Sequence, residues 1–155
     1  MISPVKIVSG GQTGVDRAAL DAAISLGIPH GGWCPRGRLA EDGRIPKRYR
    51  LRETGAADYS VRTERNVLDS DATLIVCRGR PSGGTKLTGD FARQHARPCM
   101  VVNLDNPPPV GEVARWLSAH KVEVLNIAGP RESQSPGIAE TAERFIARLL
   151  QQVPG

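Results

Sequence analysis

Short apolar segments alternate with amphipathic helical patterns along most of this 155-residue chain. The apolar segments are rich in β-branched residues, which is typical of strands buried on both faces of a sheet, and they span residues 5–8, 72–77, 99–104 and 122–127. Helical patterns span residues 15–26, 60–69, 85–96, 110–120 and 138–153. In the third of these patterns, Leu87 and Phe91 define the apolar face. The alternation predicts an α/β sandwich with a mainly parallel sheet.

The segment between residues 31 and 70 follows this alternation less regularly. "GGWC" at 31–34 predicts a second short strand, and "YRLRE" at 49–53 indicates a further element. Residues 35–53 also hold the densest group of basic side chains in the sequence, and we predict a loop there. Two interpretations stay open: a solvated loop, or a mobile flap that adds positive charge over an anion site.

The length of the chain suits one domain, residues 1–155. Cys34, Cys77 and Cys99 are far apart and odd in number, which favours neither a disulfide framework nor a metal site and fits a reducing compartment. The N-terminus runs into the first strand without a leader, and no stretch approaches the ~18 apolar residues of a membrane helix. We therefore expect a cytoplasmic protein with no membrane partner and no dedicated metal site.

The net charge of +5 favours an anionic partner. Nucleic acid is disfavoured, because aromatic residues make up only 4% of the chain and no helix carries a basic stripe beside a recognition motif. A phosphorylated small molecule is the partner that remains.

The first strand is followed by "SGGQTGVDRAALDAA", residues 9–23, in which a glycine-rich turn leads into a helix. Glycines let the backbone approach a ligand closely, and the start of a helix offers unpaired N–H groups and a positive dipole end. The acidic residue in the first helical turn either binds a ribose or pterin donor or bonds neighbouring amides. The candidate ligand-binding residues of this turn are Gly10, Gly11, Gln12, Thr13, Gly14 and Asp16.

A second glycine-rich turn, "RPSGGTKLT" at 80–88, follows the strand at 72–77 and also leads into a helix. The carboxyl ends of parallel strands share one edge of the sheet, and ligands of open α/β sheets bind at that edge. Two such turns at one edge suit a ligand with a phosphate and a further polar end. The candidate residues of this turn are Ser82, Gly83, Gly84 and Thr85.

Common nucleotide and hydrolase signatures do not fit these turns. The first turn lacks the Lys and hydroxyl ending of a P-loop and is not G-x-G-x-x-G, and no acidic residue closes "GGWC" to bind a ribose. No HExxH motif, serine elbow or histidine cluster is present. An ATPase, a dehydrogenase and a metalloprotease are therefore disfavoured.

Taken together, the motifs resemble the molybdenum cofactor carrier family, within the Rossmann-like group that includes the lysine decarboxylase-like proteins and the "lonely guy" phosphoribohydrolases. The resemblance runs over nearly the whole chain. Besides the first turn, it rests on "GGWCPRGRLAEDGRIP" at 31–46, "RTERNVLDSDATLI" at 62–75, "SGGT" at 82–85, and "NIAGPRES" with "PGI" at 126–138.

The resemblance implies a Rossmann-like three-layer sandwich, often in a homo-oligomer, that carries molybdenum cofactor (molybdopterin) or a similar phosphorylated pterin or nucleotide. It assigns Gly11, Thr13 and Gly14 to one phosphate-binding turn and 83–85 to the other. Arg62, Thr63 and Asn66 also match the family motif, and they are equally suited to capping and bracing a helix.

Two other functions remain open: a nucleoside monophosphate phosphoribohydrolase and a nucleotide sensor. The phosphoribohydrolases carry P-G-G-x-G-T-x-x-E, and Thr88 stands where their glutamate would be. A threonine hydroxyl is no general base near neutral pH. The sequence therefore favours a binding protein over an enzyme.

Overall fold

The computed structural model describes residues 4–152 and contains a parallel sheet between two layers of helices. The strands of this part of the chain are β1 (Lys6–Val8), β2 (His30–Gly31), β3 (Trp33–Cys34), β4 (Leu39–Ala40), β5 (Gly43–Arg44), β6 (Arg52–Glu53), β7 (Ala72–Cys77), β8 (Cys99–Asn103) and β9 (Val124–Ala128). Its helices are α1 (Val15–Ser25), α2 (Tyr59–Leu68), α3 (Gly83–Gln94), α4 (Val110–Ala119) and α5 (Ile138–Gln152).

The main sheet has five strands in the order β2-β1-β9-β7-β8, and all of its neighbouring pairs are parallel. Ile7 lies opposite Leu125, and Leu74 lies opposite Ile127. The chain runs outward from β1 to β2, crosses to β7 and β8, and then returns to place β9 between β1 and β7. This reversal of strand order brings the carboxyl ends of β1, β9 and β7 side by side, where open α/β sheets bind ligands.

The larger apolar core lies on the face of the sheet that α1, α4 and α5 cover. Helix α1 presents small side chains to this core, among them Ala19 and Ala22, so that α5 packs closely against it. Leu117 of α4 and Ile146 of α5 are fully buried there. Each such side chain contributes roughly 1.5–3 kcal/mol on burial. Helices α2 and α3 contact each other on the opposite face, where α3 packs against β7.

These layers confirm the α/β sandwich predicted from the sequence, with helix ends within a few residues of those expected. One strand prediction needs correction, because "GGWC" does not form a single strand. His30 and Gly31 pair with β1, whereas Trp33 and Cys34 pair with β6 in a separate two-stranded sheet. Gly32 separates them because it has a φ of 129°, and a Cβ there would lie 2.2 Å from the Ser9 carbonyl oxygen.

Residues 35–53 differ from the predicted loop, because they fold against α1 around a small core of their own. That core contains Leu20, Cys34, Ile45 and Tyr49, all buried. Arg38 is also buried, and its guanidinium donates to the carbonyl oxygens of Ile45, Pro46, Tyr49 and Leu51. The basic segment is thus not simply a solvated loop, since the buried Arg38 guanidinium links several of its backbone carbonyl oxygens.

Helix α3 is rotated relative to the expectation from its apolar residues. Thr85, Thr88 and Ala92 are its buried residues, while Leu87 and Phe91 are only partly buried. Burial of Thr88 is tolerated because its hydroxyl donates to the Gly84 carbonyl oxygen at 3.1 Å. Over residues 4–152, no helix is both long enough and apolar enough to cross a membrane.

Candidate functional site

A cavity of about 190 Å³ opens at the carboxyl ends of β1, β7 and β9. Four parts of the chain form its walls: the first glycine turn with α1, the start of α2, the start of α3, and the segment that follows β9. The lining residues are Gln12, Asp16, Tyr59, Arg62, Gly84, Thr85, Thr88, Ala128, Gly129, Arg131 and Gln134.

Gln12 contributes a hydrogen-bond acceptor with no partner. The side chain is 2% exposed, and its Nε2 donates to the Leu39 carbonyl oxygen at 2.8 Å. This bond fixes the amide, because the reverse orientation would place two oxygens together. Oε1 is buried and accepts no hydrogen bond from any described residue. A residue that lines the cavity therefore carries an unsatisfied oxygen.

Asp16 is buried in the first turn of α1. Its Oδ2 accepts from the Gln12 backbone N–H at 3.2 Å and lies 3.5 Å from Arg62 Nη1. Burial raises the pKa of the Asp16 carboxyl, and the Arg62 charge and the Gln12 N–H only partly oppose this rise. Asp16 is the one carboxylate among the residues that line the cavity.

Arg62 reaches the cavity from α2 and lies against the backbone of the first glycine turn. A Cβ at Gly10 would be 2.1 Å from Arg62 Nη1, so a glycine there makes room for the guanidinium. The guanidinium carbon lies 5.8 Å from the centre of the Tyr59 ring. Arg62 Nε is buried and has no hydrogen-bond partner in the part of the chain that the structure describes. A second unsatisfied polar atom thus lies at this cavity.

The start of α3 forms the opposite wall and is open. Side chains added at Gly83 or Gly84 would meet no atom within 4 Å. The backbone N–H groups of these two glycines donate to no other described residue, and the Ser82 side chain at the N-cap makes no capping bond. The unpaired N–H groups and the positive end of the helix are therefore available to an anion.

A smaller cavity of about 110 Å³ adjoins the first, and Thr85 and Gln134 line both. Ser82 lines the smaller cavity together with Arg78 and Arg80. Arg80 makes no hydrogen bond or ion pair with another described residue, and the Arg78 contacts to Asp105 and Thr141 are exposed. We call the larger cavity the main lobe of the site and the smaller cavity the second lobe. The main lobe contains the buried Asp16 carboxylate, whereas the second lobe is positively charged.

The structure distributes the sequence-predicted residues unequally. Gln12, Asp16, Gly84 and Thr85 line the main lobe, Ser82 lines the second, and Gly83 lies beside it. Gly10 lies beneath Arg62. These positions confirm that both turns reach one edge of the sheet.

Three other predicted residues of the first turn face protein atoms and line neither lobe. A Cβ at Gly11 would lie 2.5 Å from Leu51 Cδ1, and one at Gly14 would lie 2.3 Å from the Pro130 carbonyl oxygen. The Thr13 hydroxyl bonds the Glu41 carboxylate and accepts from the Glu132 N–H. Other parts of the chain thus pack against Gly11, Thr13 and Gly14, which the sequence assigned to a ligand.

The sequence did not predict the other lining residues as ligand-binding residues. Arg62 was named only as a match to the family motif. Its neighbours on α2 stabilise the fold, because Asn66 exchanges two hydrogen bonds with the Trp33 backbone and the Thr63 hydroxyl donates to the Tyr59 carbonyl oxygen. Residues 128–134 were signalled by "NIAGPRES", which follows the last strand at the binding edge. Within residues 4–152, no group of three or more His, Cys, Asp or Glu side chains is placed to hold a metal ion.

Comparison with known proteins gives one family and one solved structure. Residues 7–150 match the model of the circularly permutated YpsA SLOG family. The crystal structure of a "putative molybdenum carrier protein" from Syntrophus aciditrophicus SB is 48% identical in sequence, with 96% of each chain covered and a TM-score of 0.90. No curated protein matches the chain. The fold is therefore Rossmann-like, as the sequence resemblance predicted.

Proposed function

We propose, since the chain belongs to the circularly permutated YpsA SLOG family, that it carries molybdenum cofactor or a similar phosphorylated pterin or nucleotide. The solved relative is named for molybdenum carriage, which agrees with the resemblance found in the sequence. The observation that supports the proposal most strongly is the pair of unsatisfied buried atoms, Gln12 Oε1 and Arg62 Nε, on two residues that line one cavity.

Such atoms are costly to the protein alone. A buried polar atom left without a partner costs about 1–3 kcal/mol, and native structures hold few of them. A ligand that hydrogen-bonds both atoms would recover this cost on binding. The main lobe is accordingly the place for the polar ring of the ligand.

The second lobe is the place for the phosphate. It combines the open start of α3 with Arg78 and Arg80, and it contains no carboxylate among its lining residues. A phosphate in the main lobe would instead face Asp16. We therefore assign the phosphate to the turn at 82–85 alone, since Gly11, Thr13 and Gly14 are packed against the chain itself.

The size of the site is compatible with such a ligand. The two lobes adjoin at Thr85 and Gln134. Their combined volume falls at the lower end of the roughly 300–1,000 Å³ typical of small-molecule sites. A ligand with a flat ring at one end and a phosphate at the other would span both.

Native mass spectrometry of protein purified rapidly without oxygen tests the carrier proposal directly. We expect a retained mass that corresponds to a phosphorylated pterin or nucleotide, with molybdenum detected by elemental analysis if the cofactor is complete. The mass of the intact assembly tests a further proposal, drawn from the family resemblance, that the protein is a homo-oligomer. A ligand without phosphate would contradict the assignment of the second lobe.

Thermal denaturation with matched ligands tests the phosphate. A phosphorylated ligand at ~100 times its Kd should add roughly 2.7 kcal/mol to the free energy of unfolding. The dephosphorylated form at the same concentration should add much less, because it leaves the α3 N–H groups unpaired. Equal stabilisation by both forms would exclude a phosphate site at 82–85.

An enzymatic alternative has one observation in its favour. Burial raises the pKa of Asp16, and a carboxylic acid with a raised pKa is suited to donate a proton to a leaving group. The Thr88 hydroxyl, however, donates to the Gly84 carbonyl oxygen, and a threonine supplies no second carboxylate. We therefore expect negligible release of free base from AMP. Turnover near 1 per second that is lost in Asp16→Asn would establish a phosphoribohydrolase instead.

A further inference from the structure

The main lobe contains two hydrogen-bond acceptors supplied by one short stretch of chain. Gln12 Oε1 is held in place by the bond from Nε2 to Leu39 and accepts nothing. Asp16, four residues later, offers a carboxylate whose Oδ2 takes two long contacts, at 3.2 and 3.5 Å, and which also interacts with the Ser9 side chain. A carboxylate has about four lone-pair positions, so some of its capacity is unused. A ligand edge with two hydrogen-bond donors would therefore match this wall of the lobe.

A donor lies on the neighbouring wall. Arg62 Nε–H is buried and has no acceptor among the described residues. Arginine stays protonated, so this nitrogen acts only as a donor. These three side chains thus present two acceptors, Gln12 Oε1 and the Asp16 carboxylate, and one donor without a partner among the described residues.

Common ring systems differ in how well they match this set. A 2-amino-4-oxo pyrimidine ring, as in pterins and in guanine, presents an amino donor, a ring N–H donor and a carbonyl acceptor along one edge. Hypoxanthine lacks the amino group. Adenine presents an amino donor beside a bare ring nitrogen, which repels a carboxylate rather than bonding it.

Resting on the proposed function, we infer that the Gln12, Asp16 and Arg62 side chains select a 2-amino-4-oxo ring and discriminate against adenine. Both pterin and guanine compounds carry this edge, so guanine nucleotides belong to the ligand class. A site that leaves buried polar groups unpaired with the wrong ligand discriminates more strongly than one based on shape alone. The ring edge, and not the phosphate, then determines which nucleotides bind.

Titration calorimetry with GMP, IMP and AMP tests the inference, because the three share a ribose phosphate and differ at the ring edge. We expect GMP to bind at least about 10-fold more tightly than IMP and AMP, as one to two buried unpaired groups would dictate. In Asp16→Asn, which preserves size, GMP affinity should fall by at least about 10-fold while AMP affinity is unchanged or rises. Asp90→Asn, an exposed change on α3 outside both lobes, should leave all three affinities unaltered.

The outcomes separate this inference from the proposed function. Equal binding of the three nucleotides, with the nucleosides much weaker, would overturn the ring selection and leave the phosphate site intact. Tighter binding of AMP than of GMP would also overturn it. No binding of any nucleotide or of a pterin monophosphate would overturn both proposals.

Discussion

The two glycine-rich turns of this protein have similar sequences and opposite surroundings. At the first, a Cβ on Gly14 would lie 2.3 Å from the Pro130 carbonyl oxygen. At the second, a Cβ on Gly84 would meet nothing within 4 Å. Both turns precede helices at the same edge of the sheet. Glycine is required at the first turn because the chain packs against itself, and it leaves space at the second for something outside the chain.

The difference shows why a glycine motif alone does not locate a phosphate. In the first turn, the N–H of Val15 donates to Pro130 and the Thr13 hydroxyl accepts from Glu132, so residues 130–132 pack directly against this turn. In the second turn, the backbone N–H groups of Gly83 and Gly84 have no partner within residues 4–152. An anion can bind at the start of a helix only where the first backbone N–H groups of that helix do not already donate to other protein atoms.

The largest effect is expected for Gly14→Ala. A Cβ there would overlap the backbone of residues 130–132 and would also occupy a φ of 82°, so we expect a loss of about 3 kcal/mol or more in the free energy of unfolding, measured with urea. Gly27→Ala is the matched control, since Gly27 has a φ of 71° but nothing within 4 Å. It should cost only about 1–2 kcal/mol, from the backbone strain alone. Equal losses in the two variants would show that the first turn is not closely packed.

Arg38→Ala should uncover the first turn. Leu51 and Ile45 cover Gly11, and Arg38 holds the carbonyl oxygens of the segment that carries them. Removing the guanidinium leaves the Ile45 and Leu51 carbonyl oxygens without a donor among the described residues, which should cost about 3 kcal/mol by urea denaturation. Arg36→Ala, an exposed arginine two residues away, is the control and should change stability by less than about 0.5 kcal/mol. A small effect at both positions would mean that residues 35–53 stay folded without the Arg38 guanidinium.

Gly84→Val should affect binding and leave the fold intact. The side chain enters open space, so we expect a change of less than about 1 kcal/mol in the stability of the free protein. The same side chain would block the start of α3, and the ~2.7 kcal/mol gained from a phosphorylated ligand at ~100 times its Kd should be lost. Thermal denaturation with and without ligand measures both quantities. Ligand stabilisation that survives in Gly84→Val would place the phosphate elsewhere.

The smallest effect is a pH dependence at Asp16. Because folding raises the pKa of this carboxyl above its ordinary value of 3.8, its contribution to stability is present below that value and is lost as the pH rises through the folded pKa. Asp16→Asn should therefore raise the Tm of the free protein at pH 7, by roughly 2–4 °C for about 1 kcal/mol. The gain should shrink at pH 4, as followed by circular dichroism. A lower Tm at pH 7 would mean that the ion pair with Arg62 outweighs the burial of the carboxylate.

Much of the fold is predictable because its signals are local. β7 was expected at 72–77 and forms there, since a short apolar run with β-branched residues favours a strand buried on both faces. The segment at 35–53 was not predictable in the same way. Its order depends on Arg38 reaching four carbonyl oxygens and on Leu20 of α1 completing a small core, and neither contact has a local pattern.

The site was predictable in position and only partly in composition. Gln12 and Gly84 come from motifs at the expected edge, and both line the cavity. Arg62 lies on a helix between two strands, and its approach to the first turn depends on how α2 is placed over the sheet. Gly11 and Gly14 were assigned to a ligand because a sequence does not reveal whether a glycine makes room for a bound molecule or for other parts of the same chain, here Leu51 at Gly11 and residues 130–132 at Gly14.

The position of β9 has a consequence for how the protein is made. This strand pairs with both β1 and β7, yet among the strands of residues 4–152 it is the last to leave the ribosome. Until it arrives, β1 lacks one neighbour and the two halves of the sheet have nothing between them. Long-range pairings of this kind slow folding and leave strand edges exposed during synthesis. The binding cavity, whose floor includes Ala128 and Gly129 at the end of β9, therefore cannot form before nearly all of the sheet is in place.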